Sequence, residues 1–319
     1  MPLPPGLPRF PVICGPTAGG KTSLALALAD ELAARGLGRA QVVSADAFLV
    51  YRGLDLGTAK PTLDERRGVP HHLIDVVEPT ERYSVHDWLK AAQETIAHIL
   101  RDGGTPIVVG GTHLYIQALM FGLFEGPEPD PEIRQALAAM PQDQRRRELE
   151  HTDPDAAARI HPADERRTIR ALEVHRQTGR TISSLQTQWE RDNPPPADRV
   201  LVGLEWETEA LNRRINARVR NMIAGGLVDE ARALWESGRL GPQAGEALGY
   251  KQLVAHFEGH SSLEDAIERI KIETRRFAKN QRTWLRRLRA TPGSVWIDAS
   301  RGDPPTWARG VVEACVRPD

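Results

Sequence analysis

The stretch Gly15-Pro-Thr-Ala-Gly-Gly-Lys-Thr22 matches G-x-x-x-x-G-K-[ST]. The apolar run Phe10 to Cys14 before it reads as a strand. Ser23 to Arg35 after it, rich in Leu and Ala with the next glycine at Gly36, reads as a helix. Strand, loop and helix therefore follow in the order that a phosphate-binding loop requires. The helix then begins at the phosphate. The backbone N–H groups of Gly15, Pro16, Thr17, Ala18, Gly19, Gly20, Lys21 and Thr22, proline excepted, together with the positive end of the helix dipole, would hold a diphosphate. The Lys21 ammonium would neutralise it and the Thr22 hydroxyl would reach Mg²⁺, which makes Thr22 a candidate metal ligand.

Working outward, short β-rich runs recur at Gln41 to Ser44, Thr105 to Val109, Arg199 to Leu204 and Ser294 to Ile297, with long helical patterns between them. The alternation predicts an α/β fold of the P-loop NTPase-like kind, a parallel sheet flanked by helices. Two proline-rich segments, Gly126-Pro-Glu-Pro-Asp-Pro131 and Asn193-Pro-Pro-Pro196, bracket an arginine-rich helical stretch with no convincing strand. The expected organisation is a core of residues 1–120 and 198–319 with a helical insertion domain at 121–197; two ordinary surface helices with proline caps are the alternative. Thr208 to Ser237 reads as a helix pair broken at Gly225-Gly226, and Leu263 to Arg289 as one long helix.

The 319 residues carry a net charge of −1, so no global field recruits nucleic acid and any basic surface must come from local clustering. Two cysteines, Cys14 and Cys315, are too few for a disulfide framework, and the first residues hold no apolar stretch of signal length. The longest apolar run, Leu24 to Ala29, is far too short to span a bilayer. A cytoplasmic protein without a membrane segment is expected. No His/Cys spacing resembles a zinc site.

Asp46 ends the second strand in Val-Val-Ser-Ala-Asp, and in open α/β sheets the carboxyl ends of strands face the ligand crevice. It can bind Mg²⁺, hold a substrate hydroxyl or amine, act as a general base, or cap the turn that follows. The next long strand ends in Val109-Gly110-Gly111-Thr112, where two glycines admit a close backbone approach and Thr112 offers a hydroxyl. That strand lacks the aspartate that ATPases use to hold Mg²⁺, which argues against ATP hydrolysis. Residues 269–289 (RIKIETRRFAKNQRTWLRRLR) carry basic side chains against the single acid Glu273, with Phe277 and Trp284 interleaved. Such clustering suggests nucleic-acid contact. At helical spacing Ile270, Phe277, Trp284 and Leu288 can equally form a buried stripe. Arg166, Arg167 and Arg170 add positive charge to nearly one helical face of the insertion.

Taken together, Gly15 to Thr22, Ser44-Ala-Asp46, Asp55-Leu-Gly-Thr-Ala-Lys-Pro61, Pro70-His-His-Leu-Ile-Asp75, Gly110-Gly-Thr-His-Leu-Tyr115, Arg159-Ile-His-Pro162, Arg170-Ala-Leu-Glu-Val174, Gly249-Tyr250 and Gln281-Arg-Thr-Trp-Leu-Arg286 resemble the bacterial type of the tRNA dimethylallyltransferases, also called tRNA isopentenyltransferases, over about residues 11 to 289. The resemblance implies transfer of a dimethylallyl group from dimethylallyl diphosphate to N6 of adenosine 37 in tRNAs reading UNN codons. Asp46 would then be the catalytic base, Thr112 would position the reactants, and Lys21 would stabilise the departing diphosphate, with Arg214 and Arg218 as further diphosphate ligands and Mg²⁺ as cofactor. The tRNA contacts it implies are Asp46, Ala47, Phe48, Leu49, Thr112, Arg134, Arg166, Arg167, Thr168, Ile169, Arg170, Lys279, Asn280, Gln281, Arg282, Thr283, Trp284, Leu285 and Arg286. Ala47, Leu49 and Asn280 depart from the residues common in the family. A monomer is expected. The rival readings are a P-loop small-molecule kinase, an adenylate dimethylallyltransferase acting on free nucleotide, and an RNA-binding ATPase.

Overall fold

The computed structural model describes residues 6–124, 126–186 and 195–316. Strand β1 (Phe10–Cys14) is buried at every position, as a central parallel strand covered on both faces must be. It lies between β4 (Thr105–Gly110) and β5 (Arg199–Glu205) in a six-stranded sheet of order β3-β2-β4-β1-β5-β6. Strands β2 (Ala40–Ser44), β3 (His71–His72) and β6 (Val295–Asp298) complete it, and every pairing is parallel. The expected P-loop-type parallel α/β architecture is therefore present. The two-residue β3, inside Pro70-His-His-Leu-Ile-Asp75, was not expected; it is too short to carry a period of its own and exists through its pairing with Val42 and Val43.

The chain divides into two compact units, Met1–Met120 with Pro195–Asp319, and Phe121–Pro194. In the first, α1 (Lys21–Ala34) packs Leu24, Leu28 and Leu32 into a core shared with the sheet and with α13 (Pro304–Val316). Helix α2 (Val85–Arg101) starts with a Ser84–Asp87 capping box and buries Trp88, Ala92, Ile96 and Ile99. Helix α3 (His113–Phe121) follows β4 directly. The chain after β5 forms α9 (Thr208–Ala224), α10 (Leu227–Glu236), a 3₁₀ turn, α11 (Tyr250–Phe257) and the 26-residue α12 (Leu263–Leu288). The break between α9 and α10 falls at Gly225-Gly226, where Gly226 has φ +100°.

The second unit consists, among the described residues, of helices alone: α4 (Pro131–Ala139), α5 (Gln142–Thr152), α6 (Pro154–Arg159), α7 (Glu165–Thr178) and α8 (Ile182–Leu185). They enclose their own small core, including Leu137, Leu149, Leu172 and Ile182. Asn193 and Pro194 of the second proline-rich segment lie outside the described residues. No helix among the described residues is long and apolar enough to cross a membrane.

The predicted buried stripe on α12 forms only in part. Ile270 and Leu288 are buried, with Ala266, Ala278, Gln281 and Leu285 completing the inward face. Phe277 is 39 % exposed, and Trp284 stacks on His113 at a centroid distance of 4.5 Å. A seven-residue step advances an α-helix by slightly less than two full turns, so the row 270–277–284 drifts off the packed face.

Candidate active site

The carboxyl ends of β1, β2 and β4 converge, and the loops that leave them carry the polar groups. The phosphate loop bends through Ala18 (φ +58°) and Gly20 (φ +85°) into the first turn of α1. This left-handed backbone is what the loop's glycine supplies cheaply and what Ala18 adopts at some cost. Lys21 Nζ donates to the carbonyls of Gly15 at 3.1 Å and Pro16 at 2.9 Å, folding its ammonium back over the loop. Burial pushes Lys21 down to about 8; the Asp46 charge opposes that shift and the Arg218 charge adds to it. Arg218 is itself desolvated, which works against its charge, and its Nη2 donates to the Thr58 carbonyl at 3.3 Å. Two poorly solvated cations thus face one carboxylate, an arrangement that favours an added anion.

Arg214 has a different place. Its Nε donates to the Ala18 carbonyl at 2.8 Å while its guanidinium lies 4.6 Å from the centre of the Trp206 ring. Trp206 Nε1 in turn donates to the Gly19 carbonyl at 3.0 Å. The pair braces the phosphate loop through the Gly19 and Ala18 carbonyls. No sequence signal singled out Trp206, because its role depends on a partner 187 positions away.

Asp46 Oδ1 accepts the Phe48 N–H at 3.0 Å, so the aspartate does cap the turn after β2. Its other oxygen remains for the cavity it lines. Thr112 Oγ1 accepts the Ala47 N–H at 2.9 Å, and the Thr112 N–H donates to the Ala45 carbonyl at 3.3 Å. The close approach requires glycine at 110, where a Cβ would lie 2.0 Å from the Ala45 oxygen. Behind this loop Trp88 Nε1 donates to the Ser44 carbonyl at 2.8 Å and stacks on Tyr115 at 4.4 Å.

A cavity of about 480 Å³ opens between these loops and α9, α11 and α12. Its lining includes the polar Thr17, Asp46, Thr112 and Arg218, the charged Glu246, Lys251, Glu273 and Arg276, and the apolar Phe48, Ile215, Val219, Met222 and Leu227; Phe277 and Asn280 also line it. Gly57 and Thr58 of the motif Asp55 to Pro61 also line it, and the motif is clamped by a network that no local pattern in the sequence announces. Glu230 accepts the Leu56 N–H, at 2.9 Å to Oε2, and the Tyr250 hydroxyl at 2.5 Å. Gly57 lies so close that a Cβ there would come within 2.4 Å of the Tyr250 ring. Lys60, almost fully buried, pairs with Asp55 and Asp75. The clamp holds Thr58, and Thr58 holds Arg218.

Of the other residues carried over from the resemblance, Lys279, Asn280, Thr283 and Arg286 are exposed on α12. Arg282 donates to Thr208 Oγ1 at 2.8 Å. Leu285 and Gln281 face inward, 8 % and 4 % exposed. In the helical unit Arg166 and Arg167 are exposed, Ile169 is partly covered and Thr168 is buried, its hydroxyl on the Asp164 carbonyl. Arg134 and Arg170 close on the wholly buried Glu173, Arg134 through both Nε and Nη2. Burial works to raise the Glu173 carboxyl, but the hydrogen bonds of Arg134 and Arg170 outweigh it and hold it below the usual carboxylate range. These two arginines spend part of their donor forks inside the unit, which spacing along a helix does not reveal.

Among the described residues no group of three His, Cys, Asp or Glu side chains stands ready for a metal. Thr22 is exposed at the first turn of α1, which suits an ion held mainly by substrate oxygens and water. Cys14 and Cys315 are free and buried, and burial pushes both thiols up to about 12, so neither serves as a nucleophile.

The family model described as IPP transferase matches residues 49–288. The tRNA dimethylallyltransferase of Geobacillus kaustophilus is 45 % identical over 285 residues, 87 % of each chain. That of Thermomicrobium roseum is 44 % identical over 318 residues, covering 97 % of this chain and 92 % of its own. Among solved structures, the full-length tRNA isopentenylpyrophosphate transferase of Bacillus halodurans aligns with a TM-score of 0.70 at 36 % identity, covering 96 % of both chains. A eukaryotic dimethylallyltransferase acting on tRNA aligns with a TM-score of 0.80 at 30 % identity, over 95 % of this chain and 77 % of that one.

Proposed function

We infer from its site what this chain does as a member of the IPP transferase family, to which it belongs and whose curated relatives are tRNA dimethylallyltransferases. It is a prenyl transferase that modifies tRNA. The group moved is dimethylallyl, taken from dimethylallyl diphosphate, and the acceptor is N6 of adenosine 37 in tRNAs reading UNN codons. The observation that carries this reading is the charge pairing of Lys21 and Arg218 with Asp46, beside a cavity that Asp46 and Arg218 line together with Phe48, Ile215, Val219 and Met222.

The adenosine amine attacks C1 of the dimethylallyl group, the C1–O bond breaks, and its electron pair leaves with the diphosphate. Lys21, Arg218 and the loop amides stabilise the charge that grows on the leaving oxygen. Asp46, through the oxygen not committed to Phe48, accepts the proton that N6 releases. Phe48, Ile215, Val219 and Met222 offer the five-carbon group an apolar surface and exclude water from the allylic centre. The bound Mg²⁺ would add charge neutralisation at the diphosphate, with Thr22 as the protein ligand. The base must leave the anticodon-loop stack to reach the cavity, a cost of a few kcal/mol that an unpaired loop keeps small. Exposed Lys279 and Arg286 on α12 would hold the flanking phosphates; Arg166 and Arg167, exposed in the helical unit, offer tRNA contacts of their own. The reading carries with it a monomer working in the cytoplasm.

The test is incubation with Mg²⁺, dimethylallyl diphosphate and unmodified tRNA, followed by nucleoside mass spectrometry. A dimethylallyl gain on anticodon-loop adenosine and none on free AMP is expected. A gain on AMP alone would make the chain an adenylate dimethylallyltransferase. ATP turnover with a small acceptor, and no prenyl transfer, would make it a kinase.

A further inference from the structure

Gln281 lies on the basic helix α12, but its side chain points inward. It is 4 % exposed. Its Oε1 accepts the Thr17 N–H at 2.9 Å and its Nε2 donates to the Gly111 carbonyl at 2.8 Å. One amide therefore bridges the phosphate loop and the end of β4. A Cβ at Gly111 would lie 2.6 Å from Gln281 Nε2, so a side chain there would displace the glutamine amide from its place.

The bridge matters because of what the sheet leaves undone. β1 and β4 are paired up to Cys14 and Gly110, and beyond those residues no ladder sets the distance between their loops. The β4 end is already joined to the aspartate loop through Thr112, Ala47 and Ala45. Trp206 and Arg214 grip the phosphate loop at the Gly19 and Ala18 carbonyls, but neither bond reaches the end of β4. Gln281 thus links the phosphate loop to the loops that carry Thr112 and Asp46. Only glutamine offers an acceptor and a donor at this reach: glutamate lacks the donor, asparagine is one methylene short, and leucine has neither.

We propose that Gln281 is a positioning residue for diphosphate binding and prenyl transfer and not a nucleotide contact. It holds the phosphate loop and the Asp46 loop at the separation that in-line transfer needs, and through Thr17 it orders the loop before the anion arrives. The transfer half of this statement rests on the function proposed above; the diphosphate half does not. A misplacement of about 1 Å between reacting groups can cost about 10²-fold in rate, so the loss of such a bridge is visible kinetically.

The experiment compares the full chain with Gln281→Leu and Gln281→Glu. Three quantities are read: binding of inorganic diphosphate with Mg²⁺ by calorimetry, binding of unmodified tRNA, and the single-turnover rate at saturating tRNA. In Gln281→Leu, diphosphate affinity should fall about tenfold and the rate between about 10- and 100-fold, with tRNA affinity within about twofold of the parent. Gln281→Glu keeps the acceptor for Thr17 and loses the donor to Gly111, so its ordered loop keeps the fold testable should the leucine variant not fold; its rate should also drop with tRNA affinity retained. Weakened tRNA binding with unchanged diphosphate affinity and rate would make Gln281 an RNA contact and overturn the proposal. Unchanged diphosphate affinity in both variants would overturn it whatever the parent does with tRNA. A parent that binds diphosphate but transfers nothing to tRNA would sink the function reading alone.

Discussion

The Thr112 hydroxyl accepts the Ala47 N–H at 2.9 Å, one residue from Asp46. The threonine is a structural tie as well as a lining group of the cavity. A neutral hydrogen bond is worth roughly 1 kcal/mol, and a displaced reacting group costs more through geometry than through stability. Thr112→Val, which keeps the shape and removes the acceptor, should lower the single-turnover rate by about 10- to 100-fold with little change in melting temperature. Thr112→Ser restores the acceptor and should recover most of the rate. Equal activity in both variants would reduce Thr112 to a bystander.

Asp46 has two duties that substitution can separate. Asparagine preserves an oxygen for the Phe48 N–H and removes the charge, whereas alanine removes both. Both variants should lose about 10²-fold or more in turnover with tRNA affinity changed little, because general-base loss dominates. If Asp46→Asn retained near-parental turnover, the cap would be the whole role of the residue.

Lys21 gives the site a pH dependence of definite sign. Burial holds its folded-state value at about 8, below the ordinary lysine range. The ammonium is therefore charged below about pH 8 and neutral above it in the unliganded protein. The kcat/KM for dimethylallyl diphosphate should fall as pH rises through about 8, by up to about tenfold per pH unit where the charge is required. Lys21→Arg stays cationic, so its profile should lose that break even if its absolute rate is low. A flat parental profile from pH 7 to 9.5 would remove Lys21 from the role of counter-charge to the diphosphate.

Arg286 and Arg287 end α12 as exposed cations. Replacing both with glutamine should weaken tRNA binding and flatten the dependence of log K on log salt by up to about one unit for each phosphate no longer neutralised. Filter binding across a salt series measures the slope. An unchanged slope would mean that this end of the helix is only a solvated face.

What the sequence determined by itself is local. Eight contiguous residues from Gly15 to Thr22 carry the backbone freedom, the lysine and the hydroxyl of the phosphate loop, and the apolar run and helix around them announce the parallel fold. Asp46 was legible because it follows a strand at the crevice end of the sheet, and the basic side of α12 because charge repeats along one helix. The tertiary structure decided which side chains line the cavity and which bond the loops around it. From the sequence, Gln281 enters only within a motif of the resemblance and as one of the tRNA contacts it implies; the fold brings it to Thr17 and Gly111, 264 and 170 positions away. Arg134 and Arg170 enter as tRNA contacts that the resemblance implies, and only the fold shows that both also bond the buried Glu173. Trp206, Glu230 and Tyr250 likewise show their function only through distant backbone partners. A loop or a helix is specified by the conformational preferences of neighbours in the chain, whereas a hydrogen bond across hundreds of residues leaves no period in the sequence to read.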